Sequence, residues 1–239
     1  MINDNLILIS GASKTGKSHS LAGIKNPEGV MYLCTEAGKR LPFRSKFKEF
    51  NIVDPLQVKE AFEKAEEMSE IHTIVIDSVT FLMDQYETQY VLTSNDTQKA
   101  WGTYAQYFKK LLQQWVAKST KNVIITGHTL EVYSKTDMVV EKLVKIKGSI
   151  MNNGVEAYFS SVISTKKIPL TDLENYTNDL LTISDRDTRL GYKHVFQTQL
   201  TKDTVNERIS CPEDMWDISE TFINNDIQLV LDRLHTYYK

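Results

Sequence analysis

The chain has 239 residues, a length that suits one domain with a sizeable core. Apolar residues make up 41% and charged residues 25%, as in ordinary globular proteins, and no apolar run nears the ~20 residues that span a bilayer, which argues against a membrane partner. The net charge of −3 excludes a surface that coats nucleic acid as a whole, so any such contact must be local.

The opening residues lack the basic and apolar regions of a signal peptide. Cys34 lies in an apolar run, and Cys211 is the only other cysteine. A buried thiol and a cytoplasmic setting are expected. Residues 5–10 read as a first buried strand. Gly11, Ala12, Ser13, Lys14, Thr15, Gly16, Lys17 and Ser18 then match G-x-x-x-x-G-K-[ST]. Glycines at such a turn let successive backbone N–H groups face a phosphate, and a helix following the loop adds its positive end. Lys17 would reach the β- and γ-phosphates of ATP, and the Ser18 hydroxyl would ligate Mg2+.

A second apolar run, 30–35, ends beside Glu36. A carboxylate at that edge can orient or deprotonate an attacking water. Asp54-Pro55 reads as a helix start, followed by Val58, Ala61, Phe62, Ala65 and Met68 at helical spacing. The run 73–78 ends in Asp77, placed to hold Mg2+. A helix over 98–118 carries Trp101, Tyr104, Phe108, Leu111, Leu112 and Trp115 on one face, read as core. A fourth strand, 122–127, leads to His128, a polar group that could sense the γ-phosphate.

After residue 150 the pattern changes. Residues 157–168, 180–184 and 194–200 look extended, and the turns at 185–187 and 190–192 suggest hairpins on the sheet edge. A helix over 225–237 closes the chain with Ile227, Val230, Leu231 and Leu234 as its apolar stripe. No repeat or linker divides the sequence, so residues 1–239 read as a single domain.

Strand, P-loop, strand ending in Glu36, strand ending in Asp77-Ser78, strand ending in a polar sensor: this order resembles the RecA-like ATPase core. The resemblance implies an α/β fold with a mostly parallel central sheet, helices on both faces and an antiparallel C-terminal extension. The short length, Trp101-Gly102 and the ending from Asn225-Asp226 to Tyr237-Tyr238 are similar to phage-encoded single-strand annealing proteins of the Sak group. It implies a DNA-stimulated ATPase acting on single-stranded DNA in recombination, in a host cytoplasm. Under the resemblance Lys17, Glu36 and His128 are catalytic, with His128 where recombinases usually carry glutamine. Asp77 is the Walker B residue, and Phe43 falls where an aromatic stacks on adenine. Few residues precede the first strand, so any filament is expected to use other surfaces than the N-terminal link of recombinases.

The resemblance also places a DNA-binding loop at 129–149. There Tyr133, Lys135, Lys142, Lys145 and Lys147 suit stacking and phosphate contact, while Glu131, Asp137 and Glu141 dilute the charge. A second basic cluster, Lys39, Arg40, Arg44, Lys46 and Lys48, interleaves with Phe43 and Phe47. In an oligomer, Lys202 and Arg208 are the candidates to act in trans on a neighbour's ATP, with Arg186 and Arg189 as runners-up. A homo-oligomer and a single-strand-binding protein are open as partners. So are two rival functions: a P-loop kinase or other phosphotransferase, and a DNA-annealing module whose ATP site is structural or regulatory.

Overall fold

A computed structural model describes residues 3, 5–135, 138–150 and 154–238. Asp137, counted in the expected DNA loop, lies outside them. Among the described residues one sheet gathers nine strands in the order β3-β2-β4-β5-β1-β7-β8-β9, with β6 paired to β5. Strands β1 (Leu6–Gly11), β2 (Val30–Cys34), β3 (Lys48–Asn51), β4 (Thr73–Asp77) and the first half of β5 (Asn122–Ser134) are parallel. So is β7 (Ser161–Pro169) where it meets β1. β8 (Tyr192–Gln197) and β9 (Phe222–Asn224) add the antiparallel edge. The expected mixed α/β sheet is therefore present.

The central strands are apolar on both faces because both faces are covered. Leu8, Leu33, Ile76 and Ile125 pack under α1 (Gln57–Glu67), α2 (Val79–Tyr86) and α3 (Thr97–Lys110). Ile9, Tyr32, Val75 and Ile124 pack on the opposite face with Leu21 and the last helix. The aromatic stripe of α3 is core: Tyr104, Phe108, Leu111 and Leu112 are buried, and Trp101 and Trp115 pack against them. α3 continues as a π-helical stretch over Leu111–Val116. At the sheet edge, β3 is half-exposed and charged, which discourages open-edge pairing. Both cysteines are free, and Cys34 is buried. No described helix is long and apolar enough to cross a membrane.

The P-loop is followed by the expected helix, here a six-residue 3-10 helix over Ser18–Gly23, against which the last helix packs closely: a Cβ on Gly23 would lie 2.2 Å from Asp226 Oδ1. Three expectations change. Residues 129–134 and 139–144 form strands rather than a loop. β5 runs on past the sheet to Ser134 and returns as β6 (Val139–Val144), an antiparallel hairpin pairing Tyr133 with Val140. The hairpin folds close over Gly127, where a Cβ would meet Val144 Cγ1 at 2.8 Å. Residues 180–184 are not a strand; Asn224 links their backbone to the sheet edge, donating its N–H to the Leu180 carbonyl and accepting the Thr182 N–H at Oδ1. The supposed turn at 185–187 opens a helix instead. After the short helix α4 (Leu170–Leu173), α5 (Asp185–Leu190) is capped reciprocally by Ser184 and Asp187 and stopped by Gly191 at φ 73°. Local capping outweighs turn propensity there. The final helix, α6 (Ile227–Tyr237), begins after its N-cap Asp226 and buries the four residues of the expected stripe.

Phe108 is fully buried and joins α3 to the sheet, so Phe108→Ala should cost about 3–5 kcal/mol. Asp96, whose carboxylate accepts from Lys99 N–H at the α3 start, should cost about 1 kcal/mol as Asp96→Ala. Urea unfolding of the two variants checks both the sizes and their order.

Candidate active site

Parallel pairing brings the site together. Gly11 is in register with His128, and Cys34 with Asp77. The loop after β1, the residues past β2, the end of β4 and the middle of β5 therefore meet at the carboxyl edge of the sheet, where α/β proteins bind ligands. A cleft of about 830 Å³ opens there, within the range of small-molecule sites.

Its floor is the loop over 11–18. Lys14 (φ 64°) and Gly16 (φ 106°) take left-handed conformations that curl it. The Lys17 ammonium is buried and donates to the Gly11 and Ala12 carbonyls at 2.9 and 2.8 Å. Burial lowers its pKa to about 8, although Asp77 and Glu36 pull the other way. Asp77 is also buried and accepts three hydroxyl hydrogen bonds: Ser18 at 2.7 Å, Tyr32 at 2.8 Å and Thr126 at 2.5 Å. Burial, and then Asp77, push the Tyr32 phenol far above its usual range, so it stays a donor.

Glu36 is held from two sides. His128 Nε2 lies 3.0 Å from Oε1, and Lys39 Nζ 2.5 Å from Oε2. Burial, the largest single effect, would raise the carboxyl pKa. The hydrogen bonds from His128 and Lys39 together outweigh it and hold Glu36 at about 2. His128 is fixed in turn: its N–H donates to Thr80 Oγ1 at 3.0 Å, its carbonyl accepts from Lys145 N–H at 2.7 Å, and Phe81 packs edge-on to its ring.

Ser13, Lys14, Gly16, Lys17, Ser18, Glu36 and His128 all line the cleft, and Asp77 joins it through Ser18. Phe43 does not line it; its ring packs edge-on to His19 and Phe47. Tyr133, Lys135 and Lys145 are exposed on or beside the hairpin. Lys142 pairs with Glu207 at 3.3 Å and Glu131 at 3.7 Å, and Lys147 with Glu87 at 2.5 Å. Arg208 pairs with Glu141 at 3.1 Å and Glu156 at 3.7 Å, while Lys202 is exposed on the turn after β8. Arg186 lines the cleft of its own chain, and Arg189 does not. In the second basic cluster Lys48 pairs with Glu70, and Arg40 lines the cleft.

Several site residues were not read from the sequence. Thr126 left a signal, as the polar member of an otherwise apolar strand. Lys39 was visible only as a member of the basic cluster at 39–48; Tyr32 left no signal, and neither did His194 and Asn225, which reach the P-loop from more than 170 positions away.

A buried ammonium with a pKa near 8 has a consequence. Phosphate bound against Lys17 favours the cation, so binding above pH 8 must take up a proton. Affinity should therefore fall as pH rises from 7.5 to 9, approaching tenfold per unit above 8. Calorimetry in buffers of different ionisation enthalpy should detect the proton, and Lys17→Ala should abolish tight binding.

The family model described as "AAA domain" matches residues 3–168, well over half of the chain. No curated protein matches it. The match spans the P-loop, Glu36, Asp77 and His128, the residues that the sheet edge draws into one cleft. The chain belongs to the AAA domain family, as a nucleotide-binding P-loop protein of α/β fold.

Proposed function

We propose that the protein is an ATPase that acts on single-stranded DNA in recombination or annealing. One observation carries the reading: β5 runs unbroken from the core, past His128 in the cleft, into the exposed hairpin that bears Tyr133. A change at the γ-phosphate end of the cleft would reach that hairpin through a single strand and the Lys145 to His128 hydrogen bond. Tyr133 is 55% exposed, enough to stack on an unpaired base. The likeness to phage annealing proteins of the Sak group supports the same role.

In this reading Lys17 and the loop N–H groups hold the triphosphate of ATP. Ser18 and Asp77 would offer the hard oxygen ligands that suit Mg2+, and their direct contact at 2.7 Å supports that role. Bound Mg2+ supplies positive charge against the β- and γ-phosphates. Glu36 orients the attacking water once His128 and Lys39 release it, since a carboxylate with a pKa of about 2 is a weak base. If subunits assemble, Lys202 is the cation available to a neighbour's cleft, whereas Arg208 is committed to Glu141 and Glu156.

The locked Glu36 favours a second reading, an annealing module whose ATP site is regulatory. Turnover separates the two. ATP hydrolysis should rise with added single-stranded DNA, and Glu36→Gln should slow it at least about a hundredfold while ATP still binds. Absent turnover with intact ATP binding would favour the regulatory site.

DNA contact has its own test. With a non-hydrolysable ATP analogue, the Lys135→Ala/Lys145→Ala variant should lower the log–log salt slope of DNA affinity by roughly 0.7 per lysine. Identical slopes would remove the hairpin from the DNA site and turn attention to the cluster at 39–48.

A further inference from the structure

The P-loop is held by two side chains that come from beyond residue 168 and line the same cleft. His194, on β8, has Nδ1 2.8 Å from the Thr15 carbonyl. A carbonyl only accepts, so Nδ1 carries the hydrogen. Asn225, between β9 and α6, donates from Nδ2 to the Gly16 carbonyl at 3.0 Å. A third contact, Thr165 Oγ1 to Thr15 Oγ1 at 2.5 Å, fastens the side chain of the same residue to β7. The fit is close: a Cβ on Gly16 would lie 2.6 Å from Asn225 Nδ2 and 3.5 Å from His194 Nδ1.

Peptide stereochemistry gives these bonds a consequence. In a trans peptide the C=O and the following N–H point in opposite directions. Tying the Thr15 carbonyl to His194 turns the Gly16 N–H away from His194. Tying the Gly16 carbonyl to Asn225 does the same for the Lys17 N–H. Neither N–H has a protein acceptor among the described residues. Two adjacent backbone donors are thus aimed and left open, the arrangement that binds an anion.

We propose that His194 and Asn225 are positioning residues that preorganise the P-loop for a polyphosphate, which makes the C-terminal extension part of the nucleotide site. The proposal rests on the nucleotide reading of the cleft. Without His194 the peptide at 15–16 loses its anchor, and without Asn225 the Gly16 carbonyl keeps only the Ser20 N–H at 2.9 Å, so a phosphate must order more of the loop on binding. Both side chains line the cleft, and they act through the loop carbonyls.

The test compares two probes, an ATP analogue and inorganic tripolyphosphate, by calorimetry on the full chain. His194→Ala and Asn225→Ala should each weaken both probes by the same factor, roughly three- to tenfold. His194→Asn should restore binding to within about twofold, because its amide nitrogen can replace Nδ1 as donor. Equal affinity in wild type and both alanine variants would overturn the proposal. So would a loss confined to the ATP analogue, since that marks contact with the nucleoside. Thermal melting identifies any alanine variant that fails to fold. In that case His194→Asn and Asn225→Asp decide: the first must bind like wild type, and the second, which keeps the shape but not the donor, must weaken both probes. Lys17→Ala separates the underlying reading. If it binds the analogue as tightly as wild type, the nucleotide site itself is wrong and the clamp falls with it.

Discussion

Everything at the cleft depends on parallel pairing around β1. With β5 on one side and β7 on the other, β1 ends at Gly11 opposite His128, and the P-loop leaves the sheet at that level. β4 and β2 extend the same edge, so Asp77 arrives beneath Ser18 and Glu36 beside His128. A slip of one residue in any of these pairings would turn the functional side chain to the other face. The buried apolar rows on both faces hold the register, and the site is a by-product of that packing.

The charges at the edge balance one another. Lys17, Lys39, Asp77 and Glu36 are two cations and two carboxylates drawn together, and burial alone would disfavour the charged forms of Lys17, Glu36 and Lys39. Glu36 is kept ionised by His128 and Lys39, while Asp77 accepts hydrogen bonds from three hydroxyls. Among the described residues Lys17 has the carbonyls of its own loop as direct partners, and burial lowers its pKa, which leaves it the member with most to gain from a phosphate.

Away from the cleft, ion pairs decide which surface charges remain available. The segment 206–208 straps the hairpin down: the Asn206 carbonyl accepts from Lys142 N–H, Glu207 pairs with Lys142 and Lys166, and Arg208 pairs with Glu141. Half-buried pairs of this kind fix a position more than they add stability. They turn lysines that look alike in sequence into two kinds, those that anchor the hairpin and those exposed beside it.

Local chemistry made much of this legible in the sequence. Apolar runs marked β1, β2, β4 and the start of β5, since a doubly covered strand admits few polar residues. The glycines and lysine of 11–18 marked the phosphate loop, because backbone curvature and a cation are needed within eight positions. Glu36, Asp77 and His128 stood out as polar residues at strand ends. Tertiary structure decided what depends on distant partners. It paired 129–134 with 139–144 as a hairpin whose Val144 closes over Gly127, and made a capped helix of 185–190 where turn residues suggested a hairpin. It placed Phe43 against His19 and away from the cleft lining. It also brought His194 and Asn225 to the P-loop carbonyls. A histidine in a strand and an asparagine before a helix carry no local sign of such a role, since the groups they bind are backbone carbonyls brought near only when the sheet closes.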